Sequence, residues 1–231
     1  MKFVSKAPDG PSLAELAVQR STAHLVEART NEAQALMDAG SAVMIRYGVE
    51  RRATVAEIVR EAGLSNQAFY RHFESKDDLV AAIVDAGARR LAGYLEHRMA
   101  GEATPAGRVR AWVQGVLAQA TDPEVAHATR AITWNGNALS GEADAAARRT
   151  SGLVWEVLEP ALHDAGSADP ARDSYLIGRL VFAVLFDALW AEEPPTPTDL
   201  AFVEDFCLAG LTATPSRSRG KKGAKATPLR G

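Results

Sequence analysis

The chain has 231 residues, one cysteine and a net charge of −3. Its length suits one sizeable domain or two small ones, and its 47% hydrophobic content supplies a core. Lone Cys207 excludes an internal disulfide framework, no run approaches the roughly 18 apolar residues of a membrane span, and MKFVSKAPDG lacks the apolar stretch of a signal peptide, so a cytoplasmic protein with no membrane partner is expected.

Charge is unevenly placed. Residues 29–76 hold seven Lys/Arg and six Asp/Glu, while residues 77–213 hold ten against twenty. From residue 214 onward Arg217, Arg219, Lys221, Lys222, Lys225 and Arg230 face no acid. A phosphate polymer is repelled by the middle of such a chain and tolerated at its ends.

Apolar stripes of period 3.6 run throughout and no strand pattern is present, so the fold class is all-α. Residues 1–11 carry Pro8, Gly10 and Pro11 and are expected to be loose. Residues 12–28 form a candidate helix. A second is expected from Asn31, whose spacing to Gln34 resembles a capping box, to the stop at Gly48. Thr54 caps VAEIVREA, which ends at Gly63, and Ser65 caps NQAFYRHF. Ser75 caps a long helix from Lys76 to about Met99, with Leu79, Val80, Ile83, Val84, Gly87, Leu91, Tyr94 and Leu95 on its buried side. Five more helices are expected at about 106–120, 123–139, 143–164, 170–193 and 198–212. Pro160 should kink or split the third of these. Residues 214–231 have no apolar stripe and are expected to be a disordered basic tail.

The stretch GLSNQAFYRHFESKDDL, 63–79, is polar and aromatic between two ordinary amphipathic helices. Helix 54–62, a tight turn at Gly63-Leu64 and helix 66–72 make a helix-turn-helix, whose second helix must offer short polar side chains to a major groove. Asn66 and Gln67 stand at its start, and an amide can bond N6 and N7 of adenine together. Ala68 is small enough to meet a thymine methyl. Tyr70, His72 and Lys76 can donate to phosphate oxygens, and the helix start near Lys76 adds free N–H groups. Phe69 and Phe73 should face inward and pin the short helix. Arg71 is open between base, phosphate and solvent.

TVAEIVREAGLSNQAFYRHFESKDDLVAAIVD resembles the DNA-binding domain of the TetR family of bacterial transcriptional regulators, and LMDAGSAVMIRYG resembles that family's first helix. The likeness covers about residues 31–84 and includes the Gly-x-Ser turn, Tyr-x-His-Phe and Ser-Lys-x-x-Leu. It implies base contacts near Asn66, Gln67 and Ala68 and phosphate contacts from Thr54, Tyr70, His72 and Lys76, with Ser65 and Arg71 completing the candidate site. VERRA is one residue longer than the usual link, and the segment before Asn31 is longer than a usual arm. The second departure points to an extra helix or to a basic contact through Arg29.

The resemblance also implies a helical effector-binding and dimerisation domain. The expected organisation is a partly helical extension 1–28, a DNA-binding domain 29–76, an effector and dimer domain 77–213 and the tail 214–231. YLIGRLVFAVLFDALW, 175–190, is apolar nearly all round and must be covered on both sides. With the helix at about 198–212, the helix at about 170–193 is the expected homodimer face, placing two reading helices about 34 Å apart on a near-palindromic operator. Trp112, Trp134, Trp155 and Trp190 fall on four different helices. Trp112, Trp134, Asn135, Trp155, Phe182 and Phe186 are candidate pocket residues for an apolar small-molecule effector, the simpler alternative being that the tryptophans are core. Asp187 interrupts the apolar helix and must pair or reach water, with dimer or structural use favoured over ligand contact.

The expected function is therefore a repressor that binds double-stranded DNA as a homodimer and is released by its effector, with helix 76–99 as the lever. The alternative is a helical interaction module that keeps the fold without sequence-specific DNA binding. An enzyme is not expected: there is no Gly-rich phosphate loop, H-E-x-x-H or C-x-x-C, and the five histidines do not cluster. No cofactor or metal is expected. The tail has three readings: a non-specific DNA anchor, a solubility tail or an unimportant terminus.

Overall fold

The computed structural model describes residues 12–212, so the expectations for residues 1–11 and for the tail lie outside the described residues. Helix α1 spans Leu13–Tyr47 without a break. Ser12 caps it: its hydroxyl accepts from Glu15 N, and Ser12 N donates to Glu15 Oε2 at 2.6 Å. The expected division at Asn31 is not observed. No Gly or Pro lies between residues 13 and 39. Thr22 and Thr30 return their hydroxyls to carbonyls four residues back, and Gln34 donates to Asp38 rather than capping. The helix is exposed through residue 31 and turns a face to the core only from Leu36. Gly48, at φ 57°, ends it.

Helix α2 (Val55–Glu61) starts at a capping box closed by Thr54 and Glu57. Thr54 N donates to Glu57 Oε2 at 3.0 Å, and Tyr47 Oη and Arg51 Nη2 donate to Oε1 at 2.9 and 2.8 Å. The last turn of α1, the linker and α2 thus share one carboxylate. Gly63, at φ 66°, turns the chain so that Leu64 N reaches Val59 O, and Ser65 caps α3 (Asn66–His72). Ser75 Oγ accepts from Asp78 N at the start of α4 (Lys76–Ala100). On α4, Leu79, Val80, Ile83 and Leu95 are buried as expected, while Gly87 and Tyr94 are exposed.

The remaining helices are α5 (Pro105–Leu117, continued by a 3-10 turn), α6 (Pro123–Gly136), α7 (Gly141–Glu156), α8 (Glu159–Asp164), α9 (Pro170–Ala191) and α10 (Pro197–Thr212). Four of them start the same way: Thr104-Pro105, Asp122-Pro123, Asp169-Pro170 and Thr196-Pro197 put a capping oxygen before a proline whose missing N–H has no partner to lose. Pro160 splits rather than kinks its segment, leaving α7 and α8 as separate helices.

Two compact units result. One runs through Arg90 and again from Gln119 to Ser151; the other takes Leu91–Ala118 and the chain from Gly152. This division is a different cut from the expected functional one at residue 77. The first unit is built on Leu36, Val43, Met44, Ile58, Phe69, Leu79 and Ile83, so one core holds α1 to α4 together. In the second unit α5 packs against α8, α9 and α10. Trp112 is fully buried there and donates Nε1–H to Val154 O at 2.9 Å, satisfying a carbonyl in the last turn of α7 that has no partner within its own helix. By length and hydropathy α9 could cross a membrane, and it packs against α5, α8 and α10.

Two outcomes follow from this construction. The donors around Glu57, Arg51 first and then Thr54 and Tyr47, hold its carboxyl well below the 4.5 of an ordinary glutamate. A depressed folded value stabilises the fold above the unfolded value, and that contribution is lost as pH falls. Glu57→Gln therefore lowers the thermal midpoint at pH 7, and the gap to the wild type narrows as pH falls below about 4.5, read by circular dichroism melts across that range. Trp112→Phe leaves the Val154 carbonyl unpaired in the interior and costs about 1–3 kcal/mol in urea unfolding followed by far-ultraviolet circular dichroism.

Candidate nucleic-acid interface

Helix α3 has seven residues, too few to persist alone. Phe69 is fully buried, with Tyr70 edge-on to it at 5.2 Å and Phe73 tilted at 5.8 Å. This inward ring fixes the rotation of the helix. Asn66, Gln67, Tyr70 and Arg71 are consequently exposed on its other side, Tyr70 at 60%. Ser65 is exposed too, with its oxygen accepting from Ala68 N at 3.1 Å.

Two of the candidate residues, Ala68 and His72, are placed differently from the sequence reading. Ala68 is only 3% exposed and faces the core, so it offers no surface to a thymine methyl. The period that brings Phe69 inward brings its neighbour along. The His72 side chain is 11% exposed, and its Nε2 lies 2.9 Å from Glu32 Oε2 on α1. It is spent inside the domain rather than held out. Thr54 is exposed, but its hydroxyl donates to Glu57 at 2.9 Å. Lys76 is half-buried at the start of α4, where Asp77 and Asp78 occupy the first turn and offset the positive end of the helix.

The long linker between α1 and α2 is explained by its two arginines. Arg51 stacks on the Tyr47 ring at 3.5 Å and pairs with Glu57. Arg52 turns to the Trp134 ring of α6, 5.0 Å away. On the same helix His127 Nε2 donates to Ile45 O at 2.7 Å, meeting a carbonyl at the end of α1. The contacts of Arg51, Arg52 and His127, with those of Glu32 and Glu57, escaped the sequence reading; Trp134, expected to line a pocket, instead meets Arg52. For Glu57 a signal was present, because Thr54-x-x-Glu57 is the capping-box spacing. Glu32 lies forty residues before His72, and no local pattern joins them.

The candidate pocket residues fall in both units. Trp134 and Asn135 belong to the first; Asn135 is buried and its amide donates to Ala131 O at 2.9 Å. Trp112, Trp155, Phe182 and Phe186 belong to the second. There Trp155 meets Phe182 edge-on at 5.9 Å, and Phe182 meets Phe186 at 5.8 Å. Tyr175, absent from the sequence reading, extends the run at 6.2 Å from Trp155. Gly178 makes this possible: a Cβ there would stand 3.0 Å from Trp155. Cys207 is buried on α10, and burial followed by the nearby Glu204 pushes its thiol up to about 11. A thiolate nucleophile is disfavoured there.

Residues 36–83 match the family model of the bacterial regulatory proteins, tetR family. No curated relative matches at the sequence level. Among solved structures, a protein of Mesorhizobium loti MAFF303099 assigned to the TetR-family transcriptional regulators shares the fold at a TM-score of 0.59 and 18% identity, over 80% of this chain and 95% of that one. A bacterial regulatory protein of the tetR family from Rhodococcus RHA1 gives 0.55 and 18%, over 78% and 96%. The transcriptional regulator FadR of Bacillus subtilis, in complex with stearoyl-CoA, gives 0.56 and 16%, over 78% and 97%. Residues 36–83 therefore carry the N-terminal domain of the tetR family of bacterial regulatory proteins, in an all-helical chain with the fold of its transcriptional regulators.

Proposed function

We propose that the protein is a repressor that reads duplex DNA with α3 as a homodimer and is released by an apolar small molecule. The observation that carries the reading is the outward row of Asn66, Gln67, Tyr70 and Arg71 on a helix whose rotation is set by buried Phe69. The two amides are the base-reading groups, and Tyr70 and Arg71 reach phosphates. Lys76 and Thr54 are the further phosphate contacts of this reading.

Homodimerisation is supported by apolar surface that the subunit leaves uncovered. Phe202 and Phe206 on α10 are 70% and 59% exposed, and their rings stack at 6.3 Å. Leu176 and Trp190 are exposed on α9, on a stripe shared with Ala183 and Asp187. An uncovered aromatic patch of this kind marks an interface. Asp187 sits within that stripe, which fits a dimer contact better than a pocket. The effector is placed against Trp155, Phe182 and Phe186, an aromatic wall suited to an apolar molecule. The stearoyl-CoA held by FadR makes acyl thioesters the first class to try. Release then follows if the effector prefers a conformer that binds DNA poorly.

Selection of bound duplexes from random sequence tests the reading. The wild type enriches a near-palindrome. Asn66→Ala and Gln67→Ala each weaken binding to the enriched duplex by about 1–3 kcal/mol and relax the preference, with little change in salt dependence. Failure of the wild type to enrich any sequence, or a shallow dependence of its DNA binding on salt, refutes it in favour of an interaction module. For the dimer, Phe202→Glu combined with Phe206→Glu yields a monomer in sedimentation velocity while retaining helical circular dichroism. A wild type that sediments as a monomer across the micromolar range counts against this face.

A further inference from the structure

Arg71 and His72 stand side by side in the last turn of α3 and converge on one oxygen. Glu32 Oε2 lies 2.9 Å from His72 Nε2 and 3.4 Å from Arg71 Nη2. Glu32 sits on α1 one turn before Leu36, the first fully buried residue of that helix, so it stands where α1 leaves the core. The His72 hydrogen bond, with the charges of Arg71, His72 and Arg29, outweighs desolvation and keeps the carboxyl below its ordinary range. Glu32 is thus an anion at neutral pH. The recognition helix already holds this carboxylate between Arg71 and His72 before any DNA arrives.

We infer that Glu32 is an internal stand-in for a DNA phosphate, a positioning residue that engages Arg71 and His72 in the free protein and so lowers the affinity for duplex. The inference rests on the DNA-reading role of α3. A carboxylate and a phosphate oxygen make the same kind of charge-assisted bond to guanidinium, so they compete for it. The two partners of Glu32 are not equally exchangeable. The His72 side chain is nearly enclosed, whereas that of Arg71 is 49% exposed. His72 stays with Glu32 and ties α3 to α1; Arg71 is the cation that changes partner. A phosphate approaching this end of α3 must displace Glu32 from Arg71 and also approach its negative charge. Both effects are independent of base sequence, because phosphate contacts carry no sequence information. Glu32 therefore tunes overall affinity and leaves the preference to Asn66 and Gln67.

The test is fluorescence anisotropy with two duplexes, one selected from random sequence by the wild type and one of scrambled sequence, at salt from about 50 to 200 mM. Glu32→Gln, Arg71→Ala and the double variant are compared with the wild type. Glu32→Gln should tighten binding to both duplexes roughly two- to fivefold, the worth of one exposed ion pair. The slope of log K against log salt should change little, because Arg71 reaches the phosphate in both proteins. In the Arg71→Ala background the tightening should shrink to what relief of Glu32's own repulsion of phosphate leaves. Glu32→Ala, at a helical position that accepts alanine, should act in the same direction as Glu32→Gln. Thermal melts confirm that each variant is folded. Unchanged or weaker binding by folded Glu32→Gln overturns the inference, as does a gain undiminished by Arg71→Ala, while the DNA-reading role stands on the wild-type binding. A wild type that binds neither duplex overturns both.

Discussion

One buried ring governs the candidate DNA-binding end of this protein. A helix of seven residues makes too few internal hydrogen bonds to offset its ordering entropy, so α3 exists because Phe69 is anchored in a core supplied by α1, α2 and α4. The anchor also sets direction. With Phe69 inward, Ala68 is carried inward with it, and Asn66, Gln67, Tyr70 and Arg71 are left facing out. Position in the core and chemistry at the surface are thus one decision, taken by the helical period.

Around that anchor, acidic side chains do much of the positioning. Glu57 gathers the N-cap of α2, the Tyr47 hydroxyl and the Arg51 guanidinium, joining three successive segments through one carboxylate. Glu32 joins α1 to the far end of α3. The candidate DNA-binding domain therefore contains carboxylates close to the exposed face of α3. Their arrangement resolves the tension: each is paired with cations, so its charge is largely offset locally.

The second unit uses its aromatic residues in different ways. Trp112 is a core residue whose one polar group meets an orphan helix carbonyl. Trp155, Tyr175, Phe182 and Phe186 form a partly exposed edge-to-face series made possible by the missing side chain at Gly178. Phe202 and Phe206 are stacked and left open on α10. These are three environments for one class of residue: buried, half-covered and exposed. They correspond to core, candidate effector wall and candidate subunit face.

By itself the sequence determined the helical character of the chain, nearly every helix start and the helix-turn-helix, because caps, Gly63 and the 3.6-residue period are local signals read within a turn or two. Thr-Pro and Asp-Pro pairs mark four starts directly, and Thr54, Ser65 and Ser75 mark the others around the turn. It misled at Asn31, where a capping pattern is present but nothing breaks the helix, since a cap has a role only where backbone N–H groups are left free. Tertiary structure alone decided which outward-looking residues are free. Ala68 and His72 look available in a linear reading. Ala68 is taken inward by the rotation that buries Phe69, and His72 is claimed by a carboxylate forty residues away, a contact that packing creates and no local spacing encodes.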